Sequence, residues 1–124
     1  MLRIRELLWD AFAASIEGRE RESGVSRHYV SIDTHVIGMV LRGATGMPVR
    51  DFLNEALWSK LGVEQEIYYV TDEEGVDFVL GGLNMRTRDY ARFGQLYLQD
   101  GKWLGEQVIP RAWVRESTAA SAPS

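Results

Sequence analysis

Tyr29-Val30-Ser31-Ile32-Asp33-Thr34 and Gly81-Gly82-Leu83-Asn84-Met85-Arg86-Thr87-Arg88-Asp89-Tyr90-Ala91-Arg92-Phe93-Gly94 are the stretches from which the rest of this 124-residue chain is read. Each is a polar, turn-forming cluster that runs directly into an amphipathic helix. The second helix begins near Thr34 and continues to about Arg42, with Val36, Ile37, Val40 and Leu41 as its apolar stripe. Asp33 or Thr34 can cap it, because a short side-chain oxygen accepts the free N–H groups of a first helical turn. The helix after Gly82 runs from about Thr87 to Gln99, with Tyr90, Phe93 and Tyr97 on one side. Asp89 falls in its first turn, where a negative charge suits the helix dipole.

Outward from these stretches the pattern stays mainly helical. Leu7, Leu8, Phe12 and Ile16 predict a helix over 2–16, closed by Gly18. Pro48 opens a third helix, whose apolar face is Phe52, Leu53, Ala56, Leu57 and Leu61, and Gly62 stops it. Residues 66–70 and 76–80 read as two short strands joined by a loop over Thr71–Gly75. Lys102–Ile109 reads as a connection, and Pro110 starts a last helical turn through Val114. The expected fold is one mainly α domain over 1–116 with a small β-hairpin, followed by a frayed tail over 117–124.

Composition narrows the classes of function. The net charge of -4 and scattered Arg and Lys give no reason to expect nucleic acid. No apolar run approaches the roughly 18 residues of a membrane-spanning helix. The chain has no cysteine, and its histidines, His28 and His35, are a poor basis for a metal site. No cofactor or metal is therefore expected. Asp72, Glu73, Glu74 and Asp77 lack the spacing of a calcium loop, so a solvated hairpin tip is the simpler reading beside a cation-binding one.

The chemistry-bearing candidates lie in the two opening stretches. Tyr29 stands where a loop enters a helix, and the helix N-terminus lowers the cost of nearby negative charge. A phenol there, beside a cation, could relay a proton. Ser31 is close enough in sequence to offer a hydrogen bond to the same substrate. The competing reading is structural: Tyr29 packs at a helix entrance, while Ser31, Asp33 and Thr34 cap. From the local pattern alone, capping is the commoner use of these residue types. Gly81 and Gly82 suit the wall of a binding site and equally suit a strand-to-helix turn. Asn84 and Thr87 read as turn and capping residues.

Taken together and in order, Tyr29–Thr34 with Ile37-Gly38, Ala44-Thr45-Gly46, Phe52 to Gly62, Gly81–Asn84, Arg88–Gly94, and Ile109-Pro110 with Trp113-Val114 resemble the serine β-lactamase-like superfamily. Within it, the likeness is to the class C and 6-aminohexanoate-dimer hydrolase-like group. The resemblance implies a helical domain set against an antiparallel sheet, with the active site between them. It implies a serine of a Ser-x-x-Lys motif that attacks an amide, lactam or ester and forms an acyl-enzyme. Tyr29 falls on the tyrosine of the family's Tyr-x-Asn motif, and Ser31 on the Asn position, a departure that replaces an amide side chain with a hydroxyl. No Ser in the chain is followed three residues later by Lys, and no Lys-Thr-Gly or His-x-Gly follows residue 94. The expectation is an interior, mainly helical section of a parent enzyme acting on a small amide or ester, itself without turnover. The alternative is a non-catalytic helical binding or self-associating module, able to form homo-oligomers through exposed apolar surface.

Overall fold

The computed structural model describes residues 8–18, 22 and 28–120. They fall into two compact units, one holding the described residues up to Phe52 together with Tyr68–Asn84, the other holding Leu53–Ile67 and those from Met85 onward.

The first unit is organised around α2 (Ser31–Thr45), a helix of 15 residues. It packs against the short α1 (Trp9–Ala14). The rest of the helix expected over 2–16 lies outside the described residues. α2 begins three residues earlier than the Asp/Thr capping pattern predicts. Its N-cap is Val30, in extended conformation, and no side chain caps it. Asp33 and Thr34 are therefore helical residues and not caps, and Ser31 is the first residue of the helix.

The face of α2 that turns inward carries His35 and Gly38, both buried. The stripe expected to be buried does the opposite: Val36, Ile37 and Val40 are exposed. α3 (Val49–Leu53) starts directly after Pro48, as the proline predicts.

The β element pairs differently from the expected hairpin. β1 (Tyr68–Tyr69) is antiparallel to β2 (Leu83–Asn84), with Tyr68 opposite Asn84 and Tyr69 opposite Leu83. Thr71 and Asp77 form an isolated bridge. The residues from Val76 to Leu80, expected as a strand, instead fold into a turn. There Phe78 N–H donates to Val70 C=O at 2.8 Å, and Gly82 N–H donates to Phe78 C=O at 2.7 Å. This turn closes only because Gly82 has no side chain: a Cβ there would lie 2.6 Å from the Phe78 carbonyl oxygen. Trp9 stacks beneath the turn, its ring 4.4 Å from that of Phe78.

The second unit contains a π-helical stretch (Asn54–Trp58) that continues into α4 (Ser59–Leu61), followed by α5 (Thr87–Leu98) and α6 (Arg111–Thr118). α5 ends one residue before the expected boundary. Thr87 opens α5 without capping it, since the N-cap is Arg86 and no side chain caps the helix. The segment expected as a plain connection is a second hairpin, β3 (Lys102–Trp103) against β4 (Glu106–Gln107), turning through Leu104 and Gly105. α6 runs four residues beyond Val114, to Thr118. Leu57, Trp58, Leu61, Leu96 and Val114 form this unit's buried apolar core. Trp58 meets Phe93 edge-on at 5.8 Å, and Phe93 meets Tyr97 at 5.2 Å.

Candidate functional site

The four sequence-derived site residues all fall in the first unit. Tyr29 precedes the N-cap of α2 and is 71% exposed. It is thus neither a core aromatic nor packed shut at the helix entrance. Ser31, half-buried, sits two residues on, in the first turn of α2. Unpaired N–H groups at this end give it a partial positive charge that favours a developing anion. Gly81 is exposed and Gly82 buried, in the turn that leads into β2. The pair therefore precedes a strand, where the sequence reading has it following one. Asn84, expected as a turn residue, is instead in β2 opposite Tyr68, its amide donating to the Gly82 carbonyl at 2.8 Å.

The sequence reading missed a polar cluster on the inner face of α2. His35 is 1% exposed, and its Nε2 lies 3.0 Å from Oδ1 of Asp10. Arg42, two turns along the same helix, donates to the other oxygen of Asp10. Burial pushes the Asp10 carboxyl up, but the hydrogen bonds from His35 and Arg42, with the Arg42 charge, outweigh it and hold the carboxyl below its ordinary value of 3.8. The Nδ1 of His35 is enclosed without a hydrogen-bond partner among the described residues. The signal was present only as the seven-residue interval from His35 to Arg42; nothing in sequence tells which carboxylate meets them.

A groove of about 260 Å³ runs beside this cluster, with His35, Arg42, Arg50 and Asp77 among its lining residues. Tyr29, Ser31, Gly81 and Gly82 do not line it. Asp77 corrects the solvated-tip reading of the acidic cluster. It is 3% exposed, accepts the Arg50 backbone N–H at 3.0 Å and pairs with the Arg50 guanidinium at 2.6 Å. Asp72 is likewise occupied by local structure, accepting N–H groups from Trp9, Glu74 and Val76. These carboxylates organise the loop, and among the described residues no three His, Asp or Glu side chains gather as metal ligands would. No helix among the described residues is long and apolar enough to cross a membrane.

Two comparisons bear on this arrangement. The 6-aminohexanoate-dimer hydrolase of Paenarthrobacter ureafaciens is 30% identical over 94 residues, which are 76% of this chain and 24% of that protein. A solved structure from Bacillus anthracis, provisionally called a 6-aminohexanoate-dimer hydrolase, superposes with a TM-score of 0.82 at 30% identity. That match covers 87% of this chain and 28% of the other. The chain is similar to these hydrolases in both sequence and fold, a likeness that supports a section of the β-lactamase-like serine hydrolase fold. It carries the helix-rich part of that fold, with two small antiparallel hairpins, and spans about a quarter of the length of these relatives. No family model matches the chain.

Proposed function

We propose that these residues form the tyrosine-bearing wall of an acyl-transfer hydrolase site. The parent protein then cleaves an amide, lactam or ester through an acyl-serine intermediate. The observation that carries this reading is the exposed phenol of Tyr29 immediately ahead of the α2 N-terminus. In this role the phenol oxygen of Tyr29 accepts the proton of the attacking serine as its own proton passes to a neighbouring base of the complete site. It returns that proton to the leaving nitrogen or oxygen as the tetrahedral intermediate collapses, and water then releases the acyl group. Ser31 offers a hydrogen bond to the bound substrate, and the Gly81-Gly82 turn forms part of the wall. The names of the relatives point to a small linear amide joining two amino-acid units.

The chain alone contains no Ser-x-x-Lys, so the 124 residues by themselves should turn over neither a chromogenic ester nor a cephalosporin. The decisive experiment replaces the matched 94 residues of the Paenarthrobacter relative with the corresponding section of this chain. The reading expects the chimera to hydrolyse an ester or linear amide and to accumulate an acyl-enzyme visible by mass spectrometry. A folded chimera without acylation would sink the reading, and so would turnover by the isolated chain that is lost in Tyr29→Phe.

A second reading, a self-associating module without catalysis, draws support from Ile37, Val40, Leu98 and Leu104, all exposed. Light scattering on the isolated chain tests it: a discrete dimer that unfolds cooperatively favours this reading.

A further inference from the structure

We propose that the groove beside α2 binds a small ω-amino acid, its carboxylate at Arg42, its ammonium at Glu74 and its methylene chain between them. The proposal stands on the groove and not on the role given to Tyr29. The groove holds about 260 Å³. That is below the roughly 300–1,000 Å³ of pockets that take drug-sized molecules, so its occupant is small. Its lining comes from α2, from residues 48–50 and from residues 74–79, all within the first unit.

Charge decides the class of ligand. Arg42, Arg50, Asp77 and Glu74 line the groove, and their formal charges cancel. Arg50 and Asp77 cancel each other directly, as a 2.6 Å pair in which Asp77 is buried. One cation and one anion remain. Arg42 spends a single nitrogen on Asp10, which does not line the groove and divides its two oxygens between Arg42 and His35. A guanidinium carries five N–H donors in a planar fork, so most of this one is unspent. His35, buried on α2 two turns before Arg42, also lines the groove and adds a second polar group to the helix wall. Glu74 is exposed, and its carboxylate has no ion pair among the described residues. A plain anion seated here would face Glu74 uncompensated, and a plain cation would face Arg42. A zwitterion satisfies both groups. Met39, Val76 and Val79 supply apolar wall for the methylenes that separate its charged ends.

Isothermal titration calorimetry on the 124-residue chain tests this with ω-amino acids of four, six and eight carbons. Hexanoate and hexylamine, which keep one charged end each, are the controls. At least one of the ω-amino acids should bind, and both controls should bind at least tenfold more weakly. Glu74→Gln should bring the ω-amino acid down to the affinity of hexanoate, and Arg42→Gln should bring it down to that of hexylamine. Glu74 is exposed, so its substitution leaves the fold intact. Arg42 also holds Asp10, and Val76→Trp therefore serves as a second variant: it fills the groove without changing a charge and should abolish binding. Amide shifts on titration should fall on Met39, Val76 and Val79 and leave Leu96 and Val114 of the second unit unmoved. No heat with any of the three ω-amino acids would overturn the proposal. So would equal affinity for hexanoate, unchanged affinity in Glu74→Gln, or shifts confined to other parts of the chain.

Discussion

Asp89 and Asp77 are both enclosed carboxylates, yet their surroundings differ. Asp89, on α5, is 0% exposed; it accepts the Glu64 N–H at 3.1 Å and the Arg92 guanidinium at 2.5 Å. Arg92 in turn reaches Glu64 at 2.9 Å, closing a ring of charges beside an apolar core of Trp58, Leu61, Leu96 and Val114. Asp77 is held by a single residue, Arg50, whose side chain is 42% exposed. Each unit keeps enclosed polar atoms without a hydrogen-bond partner among the described residues, Trp58 Nε1 and Asp89 Oδ2 in the α5 unit and Trp9 Nε1 and His35 Nδ1 in the α2 unit. The α2 unit differs in leaving one apolar helix face and a tyrosine in solvent. One unit reads as scaffold, the other as the surface on which the rest of a fold and its chemistry are assembled.

That contrast is breakable by mutation. Asp89→Ala should cost about 3–5 kcal/mol, since it leaves the Glu64 N–H without its acceptor in an enclosed setting, removes a fully buried side chain and leaves Arg92 with Glu64 alone. Asp77→Ala should cost less, about 1–3 kcal/mol, because solvent can take over Arg50. Chemical denaturation of both variants measures this, and equal losses would erase the distinction between the units. Gly101→Ala should follow closely, at about 3 kcal/mol: Gly101 has φ +79°, and a Cβ would lie 2.1 Å from the Ile109 carbonyl oxygen. Gly82→Ala in the α2 unit, with a 2.6 Å conflict at ordinary φ, should cost about 1–3 kcal/mol.

The smallest expected effect is in acid. Asp10 has a folded-state value below its unfolded one, so the unfolded chain binds the proton more tightly. Its contribution is present above the ordinary value of 3.8 and is lost as pH falls through the lowered folded value. Thermal midpoints from pH 6 down to 2 should therefore fall less steeply in Asp10→Asn than in the parent. Identical acid limbs would remove Asp10 from the account.

Much of this was legible in the chain, for reasons tied to particular residues. The Tyr90, Phe93 and Tyr97 stripe located α5, and Pro48 and Gly62 marked where the third helical stretch opens and stops, because these signals are local. The start of α2 was not legible, since Val30 caps it without a side-chain bond and leaves no polar signature. The hairpin over Lys102–Gln107 was missed because its strands are two residues long and its turn is Leu104-Gly105. Leu104 has φ +47°, a conformation its side chain does not advertise. The register of β1 with β2 was hidden because it depends on the Phe78 turn and the missing side chain at Gly82. The α2 stripe was legible as apolar but not as exposed, because periodicity tells that a face wants a partner and not where that partner lies.

The role of Tyr29 is where the account is most directly tested. In the chimera with the Paenarthrobacter relative, Tyr29→Phe removes one hydroxyl from a residue that is 71% exposed, so its effect on thermal stability should be within about 0.5 kcal/mol. The account predicts a fall in kcat of about 10²–10⁴-fold toward an ester or linear amide, with KM little changed. An unchanged kcat in a chimera that forms an acyl-enzyme would contradict it.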